Sequence, residues 1–178
     1  SEMCIRDRHK IIQDGIRILE NLEHRGATGA DPLMGDGAGM LTQIPHELLH
    51  EECVKLGFSL PPANHYCVGF FFMPKVQSLR NTIKDLIESI ALKYDCPLIG
   101  WRLVPTDNSS LSSDPEIMKS EPIHFQGFFS RPSGILDDHY ERKIYILRRE
   151  ISNTVIDKFG STEAVSYTHL RAHETIPD

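Results

Sequence analysis

His65-Tyr66-Cys67-Val68-Gly69-Phe70-Phe71-Phe72-Met73 is the stretch that decides the fold class. The run is of strand length and almost wholly apolar, as expected of a strand covered on both faces. Directly after it, Val76, Leu79, Ile83, Leu86, Ile87 and Ile90 recur at three and four residues, which predicts a helix over Val76–Tyr94. Leu98–Val104, with the only tryptophan, Trp101, reads as a strand, and so does Ile123–Ser130. Asp137 and Asp138 are placed to cap a helix through Phe159 whose core side carries Tyr140, Ile144, Leu147, Ile151 and Val155. Strands and helices therefore alternate, a mixed α and β class, and periodicity leaves open whether the sheet is parallel.

Working outward, His9–Leu22 reads as a helix with the stripe Ile12, Ile16, Leu19 and Leu22. Gly15 inside it costs up to about 1 kcal/mol relative to Ala, which implies close packing there. Gly26 is a natural stop, Asp31–Gly39 a loop, and Met40–Ile44 a short strand. Pro45 opens a short helix to about Leu56, closed by Gly57. Thr106–Glu121 is a polar loop with a turn of helix after Asp114-Pro115. Past Gly160 nothing reads as a strand, and Ser166–Asp178 is polar, His-rich and without period, as a disordered or non-native end would be.

The chain has 178 residues, 40% hydrophobic, 25% charged and 8% aromatic. That is an average globular composition, which excludes a disordered tail, a collagen-like repeat and a coiled-coil rod. A net charge of −6 argues against non-specific binding to nucleic acid or to an anionic membrane. No apolar run approaches the roughly 18 residues that would span a bilayer. Ser1–Lys10 is charged with no apolar segment behind it, so no secretory signal is read there. None of the four cysteines, Cys4, Cys53, Cys67 and Cys96, is spaced as a zinc or redox pair. They read as buried thiols of a reducing compartment.

Three motifs carry possible chemistry. His46-Glu47-Leu48-Leu49-His50 has the spacing that puts two imidazoles one helical turn apart to hold zinc, with Glu47 as general base. A zinc-dependent hydrolase built on His46, Glu47 and His50 is thus the alternative function. Against it, Pro45 places His46 in the first turn, Cys53 and Leu56 stand where the extended motif needs Gly and His, and no third ligand is signalled. The simpler reading is an amphipathic helix with two histidines. Gly35-Asp36-Gly37-Ala38-Gly39 could bring backbone N–H groups to an anion, but it lies between a loop and a strand and lacks the nucleotide-binding context. His24-Arg25-Gly26 ends a helix, where a guanidinium either complements the dipole or points into a pocket. His9, His65, His124 and His139 have no spaced partners, and Arg148-Arg149 reads as a solvated helix face.

Taken in order, Asn21-Leu-Glu-His-Arg-Gly-Ala-Thr-Gly-Ala-Asp31, Gly35-Asp-Gly-Ala-Gly39 and Gln43-Ile-Pro-His-Glu47 resemble the amino-terminal class II glutamine amidotransferase domain of the glutamate synthase large subunit. Tyr66–Pro74, Leu98–Pro105 and Tyr140–Tyr145 fit the same family, so the resemblance covers about Lys10 to Gly160. It implies an α+β fold, a four-layer αββα sandwich of the N-terminal-nucleophile hydrolase type, here incomplete. It implies a partial amidotransferase domain at 9–164, with 1–8 and 165–178 as non-native or disordered ends such as translated adapter sequence.

The implied chemistry is release of ammonia from glutamine by an N-terminal cysteine whose own α-amine moves the proton. The implied whole enzyme reduces the adduct of ammonia and 2-oxoglutarate on FMN beside an iron–sulfur cluster, with electrons from a pyridine nucleotide or ferredoxin. No cofactor is expected in this stretch. Implied partners are glutamine, the remaining domains of the polypeptide, and a small reductase subunit or ferredoxin; neither nucleic acid nor membrane is implied. The cytoplasm or a plastid stroma is the implied compartment. Arg25 and Gly26 match the family's His-Arg-Gly, and Asp36 and Gly37 its glycine-rich turn, as supports of the substrate pocket. Residue one is Ser1, Cys4 has a blocked amine, and no Asn-Gly dipeptide exists for the oxyanion hole, so the fragment is expected to be inactive.

Overall fold

The computed structural model describes residues 2–22, 39–109, 119, 121–160 and 169–171, with backbone alone for 2–8 and 169–171. The chain falls into two units, Ser1–Thr42 with Asp107–Lys119, and Gln43–Thr106 with Ser120–Asp178. In the first, α1 spans Glu2–Asn21 and so starts seven residues earlier than the apolar stripe alone suggests. The close packing expected at Gly15 is supplied by Met40: a Cβ on Gly15 would lie 3.4 Å from Met40 Cε. The strand expected at Met40–Ile44 does not form; these residues take no regular secondary structure, and Leu41 is 78% exposed. The Asp31–Gly39 loop up to residue 38, Gly26 and the turn after Pro115 lie outside the described residues.

The second unit is built on β1 (Tyr66–Met73), whose alternation sorts its side chains onto two faces. Cys67, Phe71 and Met73 point into the main core, while Tyr66, Val68, Phe70 and Phe72 point the other way. β2 (Leu98–Leu103) and β3 (Ile123–Ser130) complete an antiparallel β2-β3-β1 arrangement. The register sets Phe71 opposite Phe125 and Cys67 opposite Phe129, so both strands offer aromatic side chains to the same face. Antiparallel pairing settles what periodicity left open.

A fourth strand, β4 (His169–Arg171), pairs with β1 at Val68–Phe70 and gives the order β2-β3-β1-β4. The sequence reading had no strand past Gly160. Three residues without hydrophobic alternation carry no period to detect; only a waiting edge of β1 makes them a strand.

Helices α3 (Gln77–Lys93) and α4 (Asp137–Phe159) cover the main core face. The expected inward residues of α4, Tyr140, Ile144, Leu147, Ile151 and Val155, are each at most 2% exposed. Burial of such side chains contributes about 1.5–3 kcal/mol apiece. In α3 the stripe Ile83, Ile87 and Ile90 is buried, but Val76 is 60% exposed because it is the N-cap, in extended backbone, and lies outside the helix. Asp137 and Asp138 are likewise not caps. Leu136 takes that position, and the two carboxylates stand in the first turn, where they suit the helix dipole. Asp137 accepts a 2.6 Å hydrogen bond from Arg131.

The opposite face of the sheet is covered at one end by α2 (His46–Lys55), through Leu49 and Cys53 against Tyr66 and Phe128. The described residues of the second unit thus form an α+β arrangement with one antiparallel sheet and helices on both faces.

Two glycines make this layering possible. A Cβ on Gly127 would meet Trp101 Cζ3 at 2.9 Å and Phe71 Cε2 at 3.1 Å, and one on Gly100 would meet the Phe58 ring at 2.7 Å. Gly127→Ala is expected to lower stability by about 1–3 kcal/mol, read as a lower urea midpoint at constant slope. Gly15→Ala should be neutral or stabilising by up to about 1 kcal/mol, because Met40 sits at ordinary contact distance and alanine favours the helix.

Candidate functional site

The four pocket residues singled out by the sequence, Arg25, Gly26, Asp36 and Gly37, lie outside the described residues. Cys4 falls within α1, so its nitrogen is a peptide amide in a helix rather than a free amine. What the structure does assemble around the remaining motifs is a polar seam between α2 and the sheet.

His46 enters this seam at the first position of α2, fixed by Pro45, whose carbonyl accepts the Leu49 N–H at 3.0 Å. Its Nδ1 lies 3.0 Å from the Tyr66 hydroxyl on β1. Burial, and secondarily Cys53, push the Tyr66 phenol up to about 12, so the hydroxyl keeps its proton and can donate to the imidazole. The His50 ring stands 5.8 Å from that of His46, one turn along, and its Nδ1 is buried without a hydrogen-bond partner among the described residues. The two imidazoles are therefore close, as their spacing requires.

A zinc site needs three protein ligands or more. Among the described residues no group of three His, Cys, Asp or Glu side chains is placed to hold a metal ion. Cys53, the next residue on that side of α2, is buried in the apolar cluster with Leu49, Leu60 and Phe128. His46 works here as a latch of helix to sheet.

Glu52 is the second tie. It accepts hydrogen bonds from Lys55 at 2.6 Å and from Arg102 on β2 at 3.2 Å. Arg102 also donates to Gln126 Oε1 on β3 at 3.0 Å, which joins two strands and the helix through one guanidinium. The Lys55 hydrogen bond first, and the Arg102 hydrogen bond next, hold the Glu52 carboxyl below its ordinary range. Sequence reasoning missed this group. The available signal was an arginine inside the apolar strand Leu98–Leu103, where only a paired charge is tolerated.

The other titratable candidates serve packing. Cys53, Cys67 and Cys96 are free and fully buried, and burial pushes their thiols up to about 11, 12 and 11. That agrees with the reading of buried apolar thiols; the Cys4 side chain is outside the described residues. His124 packs between Phe70 and Phe72, with ring centroids 5.8 and 5.1 Å away. His65 bonds the Ala63 carbonyl at 3.1 Å. On the other face, Lys84 lies 3.6 Å from the Phe125 ring centroid, and Trp101 Nε1 donates to Glu88 at 3.0 Å. A small cavity under α3 and α4 is lined by Phe71, Phe72, Met73, Ile83, Ile87, Ile151 and Val155. Its lining offers no polar side chain to orient a polar substrate.

Comparison with known proteins supplies what this geometry lacks. The family model described as "Glutamine amidotransferases class-II" matches residues 1–176. The chain is 32% identical over 160 residues to the glutamate synthase [NADPH] large chain of Bacillus subtilis, covering 89% of this chain and 10% of that protein. It is 33% identical over 153 residues to the glutamate synthase [NADH] of Schizosaccharomyces pombe, covering 83% of this chain and 7% of that protein. It is 33% identical over 155 residues to the chloroplastic ferredoxin-dependent glutamate synthase 2 of Arabidopsis thaliana, covering 87% of this chain and 9% of that protein. The chain thus spans a tenth or less of the length of these relatives.

Three outcomes test the seam. A depressed folded carboxyl stabilises above its unfolded value and loses that contribution as pH falls through the folded one. Glu52→Gln should therefore lower the melting temperature near neutral pH, and the gap to the parent should close as pH drops below the ordinary value of 4.5. A disulfide reagent at pH 8 should leave Cys53, Cys67 and Cys96 unmodified in the folded protein and reach them on unfolding in urea. Metal analysis should find zinc well below one per chain, with no change on His50→Ala; stoichiometric zinc lost on that substitution would restore the hydrolase reading.

Proposed function

The chain belongs to the class II glutamine amidotransferases, and from that premise we propose that it is a fragment of the glutaminase domain of a glutamate synthase. The observation that carries this is co-linearity: one family model runs through residues 1–176, and relatives from bacterium, yeast and plant align over more than four-fifths of the chain. All three carry glutamate synthase in their names. Residues 9–164, which hold all the motifs of the resemblance, are the proposed amidotransferase segment, and 1–8 and 165–178 are proposed as foreign ends although the family match runs into both.

The proposed reaction is hydrolysis of the glutamine side-chain amide. A cysteine thiolate attacks the amide carbon, the tetrahedral oxyanion collapses, and the C–N bond breaks to leave a thioester. Ammonia departs with a proton from the nucleophile's own α-ammonium group, and water then cleaves the thioester to glutamate. Only the first residue of a chain has an α-amine beside its own thiol, and an unperturbed pKa of about 7.7–8.0 suits that amine to work as a base near neutrality. Cys4, with a peptide nitrogen in α1, has no such amine. The nucleophile and the glutamine clamp are therefore proposed to come from residues outside these 178, with Arg25, Gly26, Asp36 and Gly37 as supports of the pocket.

The finer architecture is part of the same proposal. Beyond the end covered by α2, the sheet face bears Phe70, Phe72 and His124, all only half-buried. A second antiparallel sheet stacked about 10 Å away would cover them and make the four-layer αββα sandwich.

In the whole protein, ammonia would meet 2-oxoglutarate, with FMN and an iron–sulfur cluster carrying electrons from a pyridine nucleotide or ferredoxin. An iron–sulfur cluster does not fit the described residues: the three described thiols are buried, protonated and divided between two separate apolar clusters. Other domains of a longer polypeptide, and a reductase subunit or ferredoxin, are the proposed partners. No described helix is long and apolar enough to cross a membrane, and the cytoplasm or a plastid stroma is the proposed compartment.

Glutaminase assays on this chain, and on a form extended with its native flanking sequence at both ends, test the reading. The short chain should release no ammonia from glutamine, and Cys4→Ala should change nothing. The extended form should release ammonia and glutamate in equal amounts and lose both on alanine replacement of its first-residue cysteine. Activity in the short chain, or an extended form that folds yet stays silent, would overturn the proposal.

A further inference from the structure

We draw no further inference here: the strongest candidate, the outward stripe of α4 formed by Arg142, Ile146, Arg149 and Ile156 opposite its buried stripe, leaves Ile146 50% and Ile156 42% exposed, and nothing in the structure shows what covers it.

Discussion

The Trp101 ring lying over Gly127 is the contact on which the main core depends. Gly127 sits opposite Gly69 across the central strand pair, so the sheet has a bare patch at that level. Trp101 fills it from β2 and meets Phe71 edge-on at a centroid distance of 5.1 Å, with Phe129 and Phe125 at 6.4 and 6.3 Å. Edge-to-face packing of this kind favours one arrangement over many, because it ties ring orientation to strand register. A one-residue slip would turn every aromatic side chain on the strand to the wrong face. The helices then close over a surface already shaped, and α4 contributes five side chains that are almost completely excluded from water.

The other face follows a different logic. There, α2 is tied on by polar groups, His46 to Tyr66 and Glu52 to Arg102, around a small apolar cluster. Each of these groups would be costly to bury alone, and each gains a partner by docking. His46, which opens the zinc-like motif in the linear sequence, is committed to holding a helix on a sheet. Chemistry-bearing residue types are not chemistry until geometry frees them to touch a substrate. Among the described residues of this unit, the thiols are sealed in apolar clusters, and Glu52 and Arg102 of the seam are spent on one another.

The family assignment rests on ordered motifs and co-linear relatives, and the described geometry contributes the framework.

The linear sequence by itself determined the elements with strong period. The apolar run of β1 and the stripes of α3 and α4 are local patterns set by burial; the α4 core residues were legible to the residue, whereas the α3 stripe began one position too early, at the exposed Val76. It also carried the family resemblance, since short motifs in a fixed order survive without coordinates. Only the tertiary structure decided the antiparallel order β2-β3-β1-β4, the strand at His169–Arg171, the absence of one at Met40–Ile44, and the pairing of Arg102 with Glu52 and Gln126. The physical reason is range. Hydrophobic period is a property of neighbours along the chain, whereas strand order and charge pairing join distant residues, more than 100 positions apart for Gly69 and Leu170, and no local pattern encodes which edge will be waiting.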